Sequence, residues 1–298
     1  MRSVLGDRRA ILILLGPALA LYTLIKLGPV LWSLGLSFFD GNILRGFEFV
    51  GVDNFVRFVN DPLAVQALGF TIKYAVVLSV GQILLGYGLA LLYNFGLKKS
   101  SALVRTLVFF PVIIPTVAVG LLFSRLFQFA PQTGIVNSAI EGVGGTPVDW
   151  FSTGDSAFVV LVVMELWKSM GFFAVLLYAG LVDIPDEMIE SARIDGAGGL
   201  KLVRHIIIPL SLPVLLSAVI FSFNATLKVF DSVVALTNGG PGSETTPLTL
   251  YMFRTVFTYS DYGYGSTIAT VLTIMCFLVT LLIFNSSRKD ITKDKVRR

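Results

Sequence analysis

The chain has 298 residues, 55% of them hydrophobic and 14% charged, with a mean hydropathy of +0.81. Soluble domains carry about 25% charged residues, so the composition excludes an ordinary soluble enzyme and points into a membrane. The net charge of +4 does not argue for nucleic acid, because the basic residues gather at loop ends and in the tail, where they set membrane orientation.

Six runs are apolar for the roughly twenty residues that a helical crossing needs: 11–36, 70–95, 104–127, 157–181, 206–227 and 266–285. The first imitates a signal peptide, with Arg8-Arg9 ahead of it and Ala18-Leu19-Ala20 inside it. The apolar stretch continues through Tyr22-Thr23-Leu24-Ile25, so an uncleaved first span is expected. Lys26 is placed to snorkel to that span's outer end. Continuous runs without strand alternation favour helices over a barrel. Small residues recur in the second span (Gly81, Gly86, Gly88, Ala90) and the fourth (Gly171, Ala174, Ala179, Gly180), as helix packing in lipid requires.

Three longer connections, 37–69, 128–156 and 228–265, are rich in Gly, Pro, Asp or Asn and fall on the outer side. Short interfacial helices are expected at Asn54–Val59 and Pro62–Leu68 within the first of them. Lysine and arginine set the direction. Arg2, Arg8, Arg9, Lys98, Lys99, Arg105, Arg193, Lys201, Arg204 and the basic tail at 286–298 fall on one side. Arg45, Arg57, Lys73, Arg125, Lys228 and Arg254 fall on the other or at span ends. The excess places both termini, and the 182–205 block, in the cytoplasm. The lone Cys276 and the lone His205 allow neither a disulfide framework nor a metal site, and read as a small buried hydrophobe and a loop-end residue.

In the fourth span Glu165 and Lys168 are three apart and can pair along one helix face near its outer end. The 185–209 stretch reads as helix, turn, helix. Pro185 suits a helix start, and Asp186, Glu187 and Glu190 favour the dipole of the first turns. Asp195-Gly196 and Gly198-Gly199 supply the break, Lys201 to Ile208 resumes a helix, and Pro209 opens the next span. Ala192 and Gly196, four apart, form a small-residue face onto which another element can pack.

The spacing Glu190-Ser191-Ala192, three residues, Gly196, nine residues, Ile206-Ile207-Ile208-Pro209 resembles the EAA loop of ABC importer permeases, with Ser191 for Ala and Ile208 for Leu. Leu181-Val182-Asp183-Ile184-Pro185, Glu165-x-Trp167-Lys168, Leu236-Thr237-Asn238-Gly239-Gly240-Pro241-Gly242 and Tyr262-Gly263-Tyr264-Gly265 extend the likeness across most of the chain. Together they resemble the MalF/UgpA-type subunit of binding-protein-dependent carbohydrate importers, without the large external insertion of the maltose subunit.

The resemblance implies a single all-α permease domain over 1–298 with six transmembrane helices, the type I ABC importer fold, in a bacterial or archaeal cytoplasmic membrane. It implies a heterodimer with a MalG-type second permease, an ABC ATPase dimer, an extracytoplasmic solute-binding protein and a sugar substrate. No cofactor belongs to this chain; ATP and Mg2+ would sit on the ATPase subunits. The coupling residues it implies are Glu190, Ala192, Asp195, Gly196, Ile206 and Pro209. The turn at Asn238, Gly239, Gly240 and Pro241 would meet the binding protein. The chain carries no Walker A motif of its own.

Polar side chains in spans face helices or water. Ser222, Asn224 and Thr226 in the fifth span are candidates for sugar hydroxyl contacts, and Phe172 and Phe173 for stacking on a sugar ring. The competing use of all five is helix packing. An ion-gradient-driven secondary transporter is the alternative; it calls for paired ionisable groups deep in the bundle and inverted repeats, of which the sequence shows little. The sequence does not separate disaccharides, longer oligosaccharides and glycerol phosphate.

Overall fold

The computed structural model describes residues 8–97 and 100–296, with side chains for 12–97 and 100–285. Arg2, Lys98 and Lys99, and the side chains of Arg8, Arg9 and the basic tail, lie outside the described residues. Among the described residues five helices are long and apolar enough to cross a membrane, or six if one bent pair counts as a span. They are α1 (Leu12–Leu36), α3 (Pro62–Gly96), the pair α4 (Ser101–Ile113) and α5 (Thr116–Leu126), α7 (Gly154–Val182), α9 (Gly199–Thr226) and α12 (Tyr262–Val296, apolar to Asn285). Between them lie the short helices α2 (Asp53–Asn60), α6 (Ile135–Gly142), α8 (Asp186–Ile194), α10 (Asp231–Leu236) and α11 (Leu248–Phe253).

Three expectations are corrected. The run 104–127 is not one straight helix: α4 and α5 bend by 96°. Ile114 precedes Pro115, and the proline ring drives the preceding residue out of the helical region; Ile114 is extended at φ −71°, ψ 132°. Pro62 starts no separate interfacial helix but opens α3, where its missing N–H costs nothing and Asp61 Oδ1 accepts the Leu63 N–H at 2.9 Å. Residues 199–226 form one helical run, so Pro209 does not begin a new element; a π turn at Val203–Ile207 precedes it. The otherwise helical chain also contains an antiparallel hairpin, β1 (Phe39–Asn42) and β2 (Gly46–Phe49), with Phe39 opposite Phe49 and Asn42 opposite Gly46.

The chain divides into two compact units. Residues 1–65 with 251–273 form the first. Here the buried Asn54 amide donates to the carbonyls of Ser37 at 3.2 Å and Phe39 at 2.8 Å, tying α2 to the end of α1 and the hairpin. Asp61 accepts the Tyr264 hydroxyl at 2.7 Å and the Tyr251 hydroxyl as well. Arg57 lies 3.9 Å over the Tyr264 ring and pairs with Asp261 at 2.8 Å.

Burial works to raise the Asp61 carboxyl, but the two phenols and the amides of Leu63 and Ala64 outweigh it and hold it below the usual carboxylate value. A carboxyl lowered on folding adds stability above its unfolded value, near pH 4, and that stability is lost as pH falls through the folded value. Asp61→Asn is therefore expected to flatten the acid limb of a thermal-unfolding profile taken between about pH 3 and 6. It should cost about 1 kcal/mol at neutral pH, a value discounted for solvent screening. An unchanged acid limb in the variant would refute this.

The second unit, residues 66–250 with 274–298, holds two buried clusters. One gathers Phe70, Tyr74, Val119, Phe123, Phe158, Leu161, Met164, Val233 and Leu250. The other gathers Ala90, Phe173, Leu177, Leu181, Ile184, Ile189, Ala192, Leu202 and Ile207. Small residues sit at the crossings, as expected: Gly81 against Leu166, Gly86 against Phe173, and Gly171 against the backbone of Val108 and Phe109. Gly88 meets open space and Ala179 is exposed, so those two are not packing positions.

Candidate functional site

Residues 182–209 build a short helix held on the bundle by one face. Pro185, at φ −59° and ψ 132°, starts α8. Ile189 and Ala192 are buried in the cluster that also holds Leu181, Ile184, Leu202 and Ile207. Ala192 is thus turned toward its own chain, and Ile206 packs beside it. Gly196, at φ +84°, takes the left-handed conformation that ends α8, where the Ala197 N–H returns to the Ala192 carbonyl at 2.9 Å. Glu187, Glu190 and Arg193 on this helix are all exposed, with Ile194 at 86% and Leu200 at 80% exposure beside them. Asp195 and Pro209 are exposed too. Glu190 makes no hydrogen bond or ion pair among the described residues. The result is a charged face with two large apolar side chains bare on it, which is the chemistry of a docking surface.

A polar cavity of about 240 Å³ opens among α3, α5, α7, α9 and α10. Tyr74, Gln82, Thr116, Glu165, Lys168, Thr226, Lys228, Asp231 and Ser232 line it. Glu165 and Lys168 do not pair with each other. Lys168 Nζ donates to Thr116 Oγ1 at 2.6 Å, and Glu165 accepts the Ser232 hydroxyl. The ion pairs among the described residues include Arg57–Asp261 and Lys73–Asp155. The Tyr74 hydroxyl is fully buried and has no partner among the described residues.

The fifth-span candidates are engaged with neighbouring helices. Ser222 Oγ donates to Gln82 Oε1 at 2.6 Å, while Gln82 Nε2 donates to Ser169 Oγ at 2.8 Å, so one buried glutamine joins α3, α7 and α9. Thr226 Oγ1 lies 3.1 Å from Ser79 Oγ and contributes to the cavity wall. Asn224 Nδ2 donates to Thr280 Oγ1 at 2.9 Å on α12. Phe172 packs 5.3 Å from both the Phe173 and Phe221 rings, and Phe173 is buried. Of the five path candidates the structure brings only Thr226 to the cavity. Gln82, Thr116 and Ser232, which sequence reasoning passed over, stand there instead.

The 237–247 segment is a tightly tied turn. Asn238, Gly239 and Gly242 have φ of 46°, 82° and 52°. The carbonyl of Gly239 accepts from the Thr245 N–H at 3.2 Å and the Thr246 hydroxyl at 3.1 Å, and that of Gly240 accepts the Thr245 hydroxyl at 2.6 Å. Asn238 is exposed, Gly240 and Pro241 are partly so, and Gly239 is buried.

These features can be set beside known proteins. The chain is 32% identical to the sulfoquinovosyl glycerol transport system permease protein SmoG of Agrobacterium fabrum, over 97% of this chain and 93% of that one. It is 32% identical to the lactose transport system permease protein LacF of Rhizobium radiobacter, over 92% of each. Its fold superposes with a TM-score of 0.82, at 20% identity, on a chain of the bacterial alginate ABC transporter solved in complex with an alginate pentasaccharide-bound periplasmic protein, covering 97% of this chain and 96% of that one. The importer permease fold expected from the sequence is the fold the chain has. Residues 82–289 match the family described as the binding-protein-dependent transport system inner membrane component. The chain belongs to that family, and is a multi-pass inner-membrane permease component of a binding-protein-dependent transport system.

Proposed function

We propose that the chain is one of two permease subunits of an ATP-driven sugar importer, partnered by a MalG-type subunit. Both termini and the 182–205 loop lie in the cytoplasm. An ABC ATPase dimer, which binds ATP and Mg2+, docks on the exposed face of α8, and this chain has no ATPase site of its own. The observation that carries the reading is the bare Glu187, Glu190, Arg193, Ile194 and Leu200 surface on a helix anchored by Ile189 and Ala192. A helix held by one buried face can transmit force to the bundle through that face while its other side stays free for a partner. Gly196 and Asp195 form its turn, and Ile206 and Pro209 lie in the first turns of α9. The substrate class rests on relatives named for lactose and sulfoquinovosyl glycerol. Hydroxyl-rich ligands also suit the mixed donors and acceptors of the polar cavity, with Phe172, Ser222, Asn224 and Thr226 shaping the path beside it. The Asn238–Pro241 turn meets the binding protein.

The test is reconstitution of the chain with its permease and ATPase partners in proteoliposomes. Sugar uptake should need ATP inside and loaded binding protein outside. Binding protein should raise ATP hydrolysis several-fold, within the roughly 5–150-fold range of typical site coupling. Uptake by this chain alone on a proton or sodium gradient would overturn the reading in favour of a secondary transporter.

A further inference from the structure

The first amides of a helix have no partner within it. In α7 two are satisfied from outside the helix proper. Thr153 Oγ1 accepts the Ser156 N–H at 3.3 Å, and Glu244 Oε2 accepts the Gly154 N–H at 2.6 Å. Glu244 belongs to the tied 237–247 turn: its own N–H goes to the Pro241 carbonyl at 2.8 Å, and Thr237 and Thr245 join their hydroxyls at 2.9 Å behind it. The contact is close. A Cβ at Gly154 would stand 2.2 Å from Glu244 Oε2 and 2.5 Å from its Cβ. A carboxylate at a helix N-terminus is also favoured by the helix dipole.

From that anchor α7 runs 29 residues to Val182 with no proline inside, a rod of about 43 Å. Leu177 and Leu181 near its far end share one buried cluster with Ile184 and with Ile189 and Ala192 of α8. Three residues separate the two helices. A displacement of the turn therefore has a stiff route to the docking helix.

We propose that Glu244 is a positioning residue that passes contact at the Asn238–Pro241 turn along α7 to α8, by holding the N-terminus of α7 to the turn. This rests on the importer reading above. Glu244 touches neither substrate nor nucleotide; it acts through the helix it grips.

The experiment compares wild type, Glu244→Ala, Glu244→Gln and Gly154→Ala in the complete reconstituted complex, measuring basal hydrolysis, hydrolysis with loaded binding protein, and binding-protein affinity. Glu244→Ala is expected to lose stimulation by about fivefold or more, with basal hydrolysis and binding-protein affinity kept. Gly154→Ala, which pushes the carboxylate off the amide from the other side, should do the same. The double variant should be no worse than either single, because both break one contact. Glu244→Gln keeps an oxygen acceptor and should restore part of the stimulation. Wild-type stimulation in both Glu244→Ala and Gly154→Ala overturns the inference alone. So does a loss of stimulation explained by weaker binding-protein affinity, or one that comes with an equal fall in basal hydrolysis. Absence of stimulation in the wild type overturns the importer reading, and the inference with it.

Discussion

A chain carrying Glu190→Arg is expected to insert and fold like the wild type but to lose more than tenfold in binding-protein-stimulated ATP hydrolysis, and transport with it. The size follows from where Glu190 stands. It is exposed and makes no hydrogen bond or ion pair among the described residues, so reversing its charge removes nothing that holds the bundle together. Surface changes of that kind stay within about 0.5 kcal/mol of neutral. Against a partner that receives the carboxylate, reversal removes a charged contact and installs a repulsion, worth about 2–5 kcal/mol and so tenfold at the least. Gly196→Val tests the same surface through the backbone. A branched side chain at φ +84° costs about 1–2 kcal/mol, and relief of that strain at the turn is expected to displace α8 from its Ile189 and Ala192 anchor. Both variants should give wild-type monodispersity in detergent and basal hydrolysis near normal in complexes that still assemble. Wild-type stimulation in Glu190→Arg would remove α8 as the docking helix.

What the sequence discloses depends on how local each signal is. The apolar runs are local, and five of the six expected spans stand as helices. The bend between α4 and α5 is local too: Ile114-Pro115 breaks an apolar run whose hydropathy alone reads as continuous. The hairpin at 39–49 escaped because its strands are four residues each, among glycines that also suit a loop. The helix–turn–helix at 185–209 was legible as a spacing, but not the direction of its faces. Ala192 looks like an open small-residue patch until Leu181, Leu202 and Ile207 are seen to close over it.

The polar cavity shows the sharper limit. Spacing three apart suggested that Glu165 pairs with Lys168. Their partners, Ser232 and Thr116, lie 67 and 52 residues away in sequence. No helical periodicity reports a contact between different helices. Gln82 was the one readable clue, an amide inside an apolar run that had to find donors and acceptors on other helices, and it finds them on Ser169 and Ser222.

The same dependence on neighbours makes Gly171 a sensitive position in the bundle. A Cβ there would meet the Val108 carbonyl oxygen at 2.2 Å and the Phe109 Cα at 2.7 Å. Those are backbone atoms of α4, and they cannot rotate aside as a side chain does. Alanine must therefore push α4 and α7 apart, and leucine must push them farther. Overpacking of a tight site costs about 1–3 kcal/mol and more where the obstacle is rigid, and close backbone approach is what holds helices together in lipid. Gly88 is the control, because a Cβ there meets nothing within 4 Å. In a helix interior alanine is favoured over glycine by about 0.8–1 kcal/mol, so Gly88→Ala should hold or raise the melting temperature. Gly171→Ala should lower it by roughly 4–8 °C, taking about 2 kcal/mol at about 2–4 °C per kcal/mol. Gly171→Leu should leave little folded protein on size-exclusion chromatography. Equal melting temperatures for Gly171→Ala and Gly88→Ala would mean that α4 and α7 do not meet backbone to backbone, and that the crossing that seats the bent pair on the bundle lies elsewhere.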